Sequence, residues 1–419
     1  MTENNNKDGF FAAFLFFIWP FLAAVSAVYN FRQPWAKNII WAFVAFYGFT
    51  FAIGSESEGS DIVSYVNEYQ ELHRVALDFA GAIDYYEERG RLDVVRTLIA
   101  VTLSRFTDKQ PFLTLVYAII FGYFFSRNMW YVMERLKGKL TPFTIVLLAC
   151  FFLIIPMWYI NGFRMWTAAH VFMYGIMPYL FEGRKNGIWV SALSILFHFS
   201  FVVPVGVLIG YVFMGNWLTL SFSVFVASIF LAEIDLGTLN RLIDNYAPEI
   251  LQDQTASYRV ESGPGGESVA ADQRSRRWYA VWYNRALSYS IMAFLIGLYV
   301  TGREYIEKHE GWLSLYCFVL LFYAAVNLLG SFGGSARFVT LANFFALPVI
   351  ILYVQNIHQE KMMKRLTLLL TPAMLLFIIV SVRIGFYSLS AKAILANPVI
   401  AAFIMDELLS MNDLMRMIL

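Results

Sequence analysis

An aspartate, an arginine and a histidine stand at the borders of apolar runs: Asp61 in GSDIVSYVNEYQ, Arg164 in YINGFRMWTAAH and His198 in SILFHFSFVVP. A charge in or beside hydrocarbon costs at least a few kcal/mol, so such residues are by default paired, wetted and functional. Asp61, Tyr65 and Tyr69 recur at i, i+4 and i+8 and share one face if the segment is helical. A carboxylate there can act as general base toward a hydroxyl, or accept hydrogen bonds from sugar hydroxyls that tyrosine rings pack against. The plainer alternative is a helix start capped by Ser60 and Asp61. Asn161 and Arg164 occupy a turn eased by Gly162, and the planar guanidinium matches the oxygens of a departing pyrophosphate, against the alternative of snorkelling to headgroups. His198, flanked by Phe197, Phe199 and Phe201, could take a proton from an acceptor hydroxyl as imidazole or stabilise phosphate as imidazolium. A hydrogen-bonded packing histidine is its plainer reading.

Further cations have a pattern. From Asn186 to Glu307 the chain holds no lysine, and Arg259, Arg277 and Arg285 are interleaved with Trp278, Tyr279, Trp282 and Tyr283. Arginine with aromatics suits pyrophosphate and sugar rings, or else an interfacial belt against anionic headgroups. Arg337, in GGSARFVTLANFF, follows a glycine turn at the start of an apolar run and is the better individual candidate. The chain lacks a P-loop, GxGxxG, HExxH, GxSxG and a DxD acidic pair, so nothing points to nucleotide hydrolysis, zinc chemistry or a metal-bound nucleotide sugar, and no cofactor or metal is expected.

The elements that must position these groups are membrane helices. Hydrophobic residues make up 59% and charged residues 15% of 419 positions, and roughly eleven apolar stretches recur from Phe10 to the last fifty residues. Net charge is +1, which supports neither a nucleic acid nor a strongly anionic partner. Cys150 and Cys317 lie inside apolar runs without metal-ligand spacing, and no structural disulfide is expected. The run from Phe10 to Val28 lacks a charged n-region and a small-residue cleavage site, and is expected to be one retained span rather than a signal peptide.

Basic turns at Arg32 and Lys37, at Arg135, Lys137 and Lys139, at Arg184 and Lys185, and at Lys361, Lys364 and Arg365 belong in the cytoplasm by the positive-inside rule. Counting single crossings forward from Lys185 and backward from Lys361 then places residues 235–285 on opposite sides. The conflict disappears if Ile188 to Phe213 is two short elements broken near His198, where Ser200 and Pro204 interrupt the run. Irregular backbone at that depth is tolerated only against protein or a watery cavity, so a cavity is expected around His198. The chain is thus expected to be one all-α polytopic domain over residues 1–419, with about 11 or 12 crossing segments and one broken helix. Outward-facing loops are expected over residues 54–110 and 235–285. The first contains LDVVRTLIAVTLSRF, whose Val95, Leu98, Ile99, Thr102 and Leu103 have the spacing of an interfacial helix.

In order and spacing, GSDIVSYVNEY, NGFR, FHFS and GSARF resemble the EpsG family of Wzy-type polysaccharide polymerases, although Met165 follows the arginine where glutamine is common in that family. The resemblance covers most of the chain. It implies a metal-independent glycosyltransferase of the GT-C kind that joins oligosaccharide repeat units carried on undecaprenyl pyrophosphate, at the periplasmic or outer face of a bacterial inner membrane. Exopolysaccharide, capsule and O-antigen are the implied product classes, with membrane lipid and a chain-length regulator as further partners. In that reading Arg164 and Arg337 neutralise the leaving lipid pyrophosphate, while Asp61 or His198 activates the acceptor hydroxyl. Tyr65, Tyr69, Asn161, Arg259, Arg277 and Arg285 bind substrate. Two alternatives use the same groups: an O-antigen ligase with a different acceptor, and a lipid-linked saccharide flippase, which would favour symmetric half-repeats that the sequence does not display.

Overall fold

The computed structural model describes residues 2–53, 60–75, 81, 93–231, 277–329, 335–357, 361–405 and 409–418. Within them the chain is helical, and the only strand-like pairing is an isolated bridge between Ser390 and Ser410. The helices begin and stop for local reasons. Helix α6 (Gln110–Met133) carries a proline in its first turn, where the missing N–H costs nothing. Helix α7 (Pro142–Ile154) also starts on proline, and the Thr141 hydroxyl accepts from the Thr144 amide at 3.2 Å. Helix α8 (Phe163–Glu182) ends at Gly183, whose φ of 72° lies in the left-handed region that favours glycine.

The membrane signal is strong but uneven. Among the described residues, six helices are long and apolar enough to cross a bilayer if α7, the following 3₁₀ turn and α8 are taken as one 41-residue stretch. Six further apolar helices are shorter, with 10–17 residues, or segments interrupted within a run. About 20 residues make a full span, so the shorter apolar helices would cross only by joining a neighbour or by thinning the bilayer locally.

Contacts between helices sort the chain into two ends. Helix α3 (Ala36–Phe49) runs antiparallel to α6: Lys37 pairs with Glu134 at 2.9 Å, and the Trp41 indole donates to the Ile119 carbonyl at 2.9 Å. A Cβ on Gly48 would meet the Thr114 carbonyl oxygen at 2.6 Å, so glycine permits this close crossing. The basic turns collect at one end. There the Gln355 side chain donates to the carbonyls of Lys137 and Lys139, Asn356 donates to the Arg135 carbonyl, and Glu182 pairs with Arg135 and Arg184. Asp61, Asp93, Arg164 and His198 collect at the other.

The run from Phe10 to Val28 is not one span. Helix α1 (Thr2–Ile18) stops at Trp19, and Pro20 opens a second helix, α2 (Pro20–Tyr29). Gly9 packs on Trp35 while the Phe16 ring meets Phe46 and the Phe21 ring meets Phe43, so the chain rises along α3 and folds back along it. Proline at N1 explains the restart, because its fixed φ suits a helix start and not a helix interior.

The run from Ile188 to Phe213 is broken as expected. Helices α9 (Gly187–Ala192) and α10 (Ser194–Phe197) end at His198, a 3₁₀ turn covers Phe199–Phe201, and α11 (Val202–Met214) follows. Gly187 sits against Gly175 of α8 and Phe197 against Phe163, so the first half climbs from the basic end to the Arg164 end. The second half returns: Gly215 and Asn216 line one polar cavity with Glu182 and Lys185. His198 therefore stands at a reversal, level with Arg164.

The remaining helices complete the body. Helix α12 (Leu218–Leu231) climbs beside α14 (Glu310–Leu328), with Asn327 donating to Ser228 at 3.0 Å. The 31-residue α13 (Trp278–Lys308) descends, with Tyr299 stacked on Phe222. Helix α15 (Ser335–Asn356) starts at the Arg164 end, and α16 (Lys361–Gly385) rises to it, where Gly385 packs on Trp158. Cys150 and Cys317 are both buried.

Candidate functional site

Two helices outside the long apolar ones build the rim of the site. Helix α4 (Asp61–Val75) begins with Asp61 and turns Tyr65, Glu68, Tyr69 and Leu72 inward. Helix α5 (Val94–Ser104) follows Asp93 and buries Arg96, Ala100, Val101 and Ser104. Leu98 and Thr102 of the expected interfacial face are exposed, as is Val94, while the polar edge with Arg96 and Ser104 is turned into the protein. An arginine rather than a leucine anchors α5, because a partner waits for it. Arg96 meets Glu68 in a two-pronged ion pair, Nη1 to Oε2 at 2.9 Å and Nη2 to Oε1 at 3.3 Å, with the two side chains 1% and 6% exposed.

Tyr65 lies between two guanidinium groups. The Arg96 Cζ sits 4.9 Å from its ring centroid and the Arg164 Cζ 5.3 Å from it. The Arg164 Nε donates to the Tyr65 hydroxyl at 2.7 Å. Burial pushes the Tyr65 phenol up to about 12 despite the nearby Arg164 charge, so it stays a neutral acceptor. Tyr65 thereby fixes the arginine fork.

Asp93 joins the pieces. Its Oδ2 pairs with the Arg164 Nη1, and its Oδ1 accepts from the Phe199 amide at 3.4 Å and faces the His198 Nδ1 at 4.0 Å. The Ser200 amide donates to that same Nδ1 at 3.3 Å, so in this arrangement neutral His198 carries its proton on Nε2. The Arg164 Nη2 has no protein partner among the described residues, and 26% of its side chain remains exposed. A free prong on an otherwise fixed guanidinium is what an incoming phosphate oxygen needs.

The residues expected from the sequence fall into groups. Asp61, Tyr65, Arg164, His198 and Arg337 come together: Asp61 is exposed, its Oδ2 lies 3.8 Å from the Cβ position of Gly162, and its charge acts on Tyr65 and His198. Arg337, at the exposed start of α15, also acts on His198 by its charge. Asn161 lies half-buried in the 3₁₀ turn Met157–Gly162 beside this group, and its amide has no hydrogen-bond partner among the described residues. Gly162 is small for a reason: a Cβ there would meet the Trp166 indole at 2.9 Å.

Others stand apart. Tyr69 is fully buried, and its hydroxyl donates to the Thr107 carbonyl, which ties α4 to the link before α6. Arg277 and Arg285 are exposed at the Arg164 end of α13, beside a Tyr279 that accepts from Arg383 at 2.6 Å, and no contact joins them to Arg164 among the described residues. Arg259 lies outside the described residues. Sequence reasoning missed Asp93, Arg96 and Glu68. One signal was present: Arg96, Ala100 and Ser104 form a small-and-polar stripe at i, i+4, i+8 along an otherwise apolar helix, with Asp93 one turn before it.

Among the described residues, no group of three or more His, Cys, Asp or Glu side chains stands in metal-binding arrangement. Comparison with curated proteins and with solved structures gives no match. The EpsG family matches residues 39–392, which spans both hydrophilic excursions, the 3₁₀ turn, the His198 reversal and the start of α15. With its paired arginine, aspartate and histidine set at one end of a bundle of apolar helices, the chain belongs to the EpsG family, a Wzy-like polysaccharide polymerase family.

Proposed function

We propose that this protein joins oligosaccharide repeat units carried on undecaprenyl pyrophosphate, at the outer face of a bacterial cytoplasmic membrane. One observation carries the reading. Arg164 is fixed by Tyr65 and Asp93 with one prong left open, and His198 stands on the other side of the same carboxylate. The basic turns lie at the opposite end of the helices, which by the positive-inside rule supports an outer position for the Arg164 end.

In the reaction, the bond between the donor's anomeric carbon and its phosphate oxygen breaks, and the acceptor oxygen takes that carbon. The acceptor proton passes to Asp61 or to His198. Lipid pyrophosphate leaves with the electron pair, and its growing charge is met by Arg164 and Arg337. A phosphate that takes the open prong competes with Asp93 for Arg164. Asp93 then turns its charge to the His198 Nδ1, favouring the tautomer with its proton there, so that Nε2 takes the acceptor proton and the carboxylate stabilises the resulting imidazolium. Because two arginines neutralise the leaving group, the reading requires no divalent metal.

The test is direct. Purified protein given only undecaprenyl-pyrophosphate oligosaccharide, with a chelator and without nucleotide, lengthens the lipid-linked glycan and releases undecaprenyl pyrophosphate. Transfer of the lipid between leaflets with no lengthening would replace this reading with a flippase.

A further inference from the structure

An apolar cavity of about 500 Å³ opens on the side of the bundle between α2 and α7, floored by α3 and α6. Val25 and Val28 form one wall, Leu153 the other, and Phe125 the floor. Tyr29 and Trp158 are the lining residues that carry a polar side-chain atom. Val25 and Val28 are 48% and 49% exposed, so the cavity is open sideways rather than sealed in the core. Its far end is the more informative one. Pro156, Met157 and Trp158 close it there, and they begin the 3₁₀ turn that carries Asn161 and delivers Arg164.

Resting on the function proposed above, we infer that this groove holds the isoprenoid chain of the lipid-linked substrate during the reaction. The occupant follows from continuity with the anion site. From Trp158 to Gly162 the 3₁₀ turn rises about 2 Å per residue, roughly 8 Å in all, so a lipid lying in the groove brings its headgroup to Arg164 without leaving the protein surface. The groove descends from that point along α2 toward the basic end, the direction a membrane-embedded tail must take from an outer headgroup. The fold-back at Trp19 creates the wall: a single continuous span from Phe10 would leave no second helix to face α7.

A photoreactive undecaprenyl pyrophosphate with a diazirine on its chain tests the assignment on the full-length protein in phosphatidylglycerol vesicles. The wild type should be labelled on the peptides around Val25 and Leu153, and unlabelled undecaprenyl pyrophosphate should compete at least ten times more effectively than added short-chain phosphatidylglycerol. Val25→Trp and, independently, Leu153→Trp should each cut that labelling at least tenfold. Labelling elsewhere in the chain, or equal competition by phosphatidylglycerol, overturns the inference and makes the groove an ordinary lipid site. Because the readout needs no turnover, specific labelling in a protein that never lengthens glycan would sink the polymerase reading and leave the groove standing.

Discussion

At the scale of single residues, the site depends on charges that are held rather than merely present. Arg164 has Tyr65 at its Nε and Asp93 at one terminal nitrogen, so its fork is set before substrate arrives. Arg164→Ala is expected to remove nearly all polymer synthesis, by about a hundredfold or more, since loss of one preorganised charge partner costs roughly 3 kcal/mol. Arg164→Lys should recover little of it, because an ammonium cannot serve both partners and a phosphate oxygen in one plane. Full polymer from a well-expressed Arg164→Ala protein would make it a headgroup anchor. Beneath it, the Glu68–Arg96 pair is buried on both sides. Glu68→Ala should lower stability by about 3–5 kcal/mol, because it removes the two-pronged carboxylate partner of a buried guanidinium, and a Glu68→Leu, Arg96→Met double variant should recover much of that loss. Thermal unfolding in detergent reads both. Asp61, Arg164 and His198 were legible in the sequence because a charge in an apolar border stands out. Asp93 and Glu68 were not, because a carboxylate in a hydrophilic excursion looks solvated until the chain brings its partner to it.

At the scale of elements, two interruptions shape the molecule, and they differ in how openly the sequence announced them. The His198 break could be inferred from two topology counts that disagreed, and the structure has it there. The Trp19 break was equally written, as a proline in the middle of an apolar run, yet the run had the length of one ordinary span and offered no second constraint. In α5 the apolar spacing marks the exposed side, with Leu98 and Thr102, while the polar edge turns to protein. The His198 reversal is held against α8 by small residues: a Cβ on Gly175 would meet the Ser191 amide nitrogen at 2.5 Å. Gly175→Leu should therefore push α9 away, at a cost of about 1–3 kcal/mol for overpacking. The expected outcome is a lower unfolding temperature together with reduced polymer, and normal stability in that variant would show that the crossing yields easily.

At the scale of the whole molecule, sidedness is the property on which function turns. The helix directions place Asn216 with Lys185 at the basic end, and Lys109 at the Arg164 end of α6. Because Cys150 and Cys317 are buried, single introduced cysteines can be labelled against a quiet background. In intact cells, Lys109→Cys should react with a membrane-impermeant maleimide, and Asn216→Cys should react only after permeabilisation. The reverse pattern would turn the site to the cytoplasm and remove the outer-face proposal.

The most direct measurement of the central claim compares binding with turnover at the proton-accepting groups. Purified wild type, Asp61→Asn and His198→Ala proteins would be given undecaprenyl-pyrophosphate oligosaccharide, with lipid binding, glycan lengthening and leaflet exchange measured on the same preparations. If the cluster performs glycosyl transfer, the variant at the true base binds lipid nearly as the wild type does and lengthens glycan roughly 10²- to 10⁴-fold more slowly. A wild type that moves the lipid between leaflets and never lengthens its glycan would contradict the account.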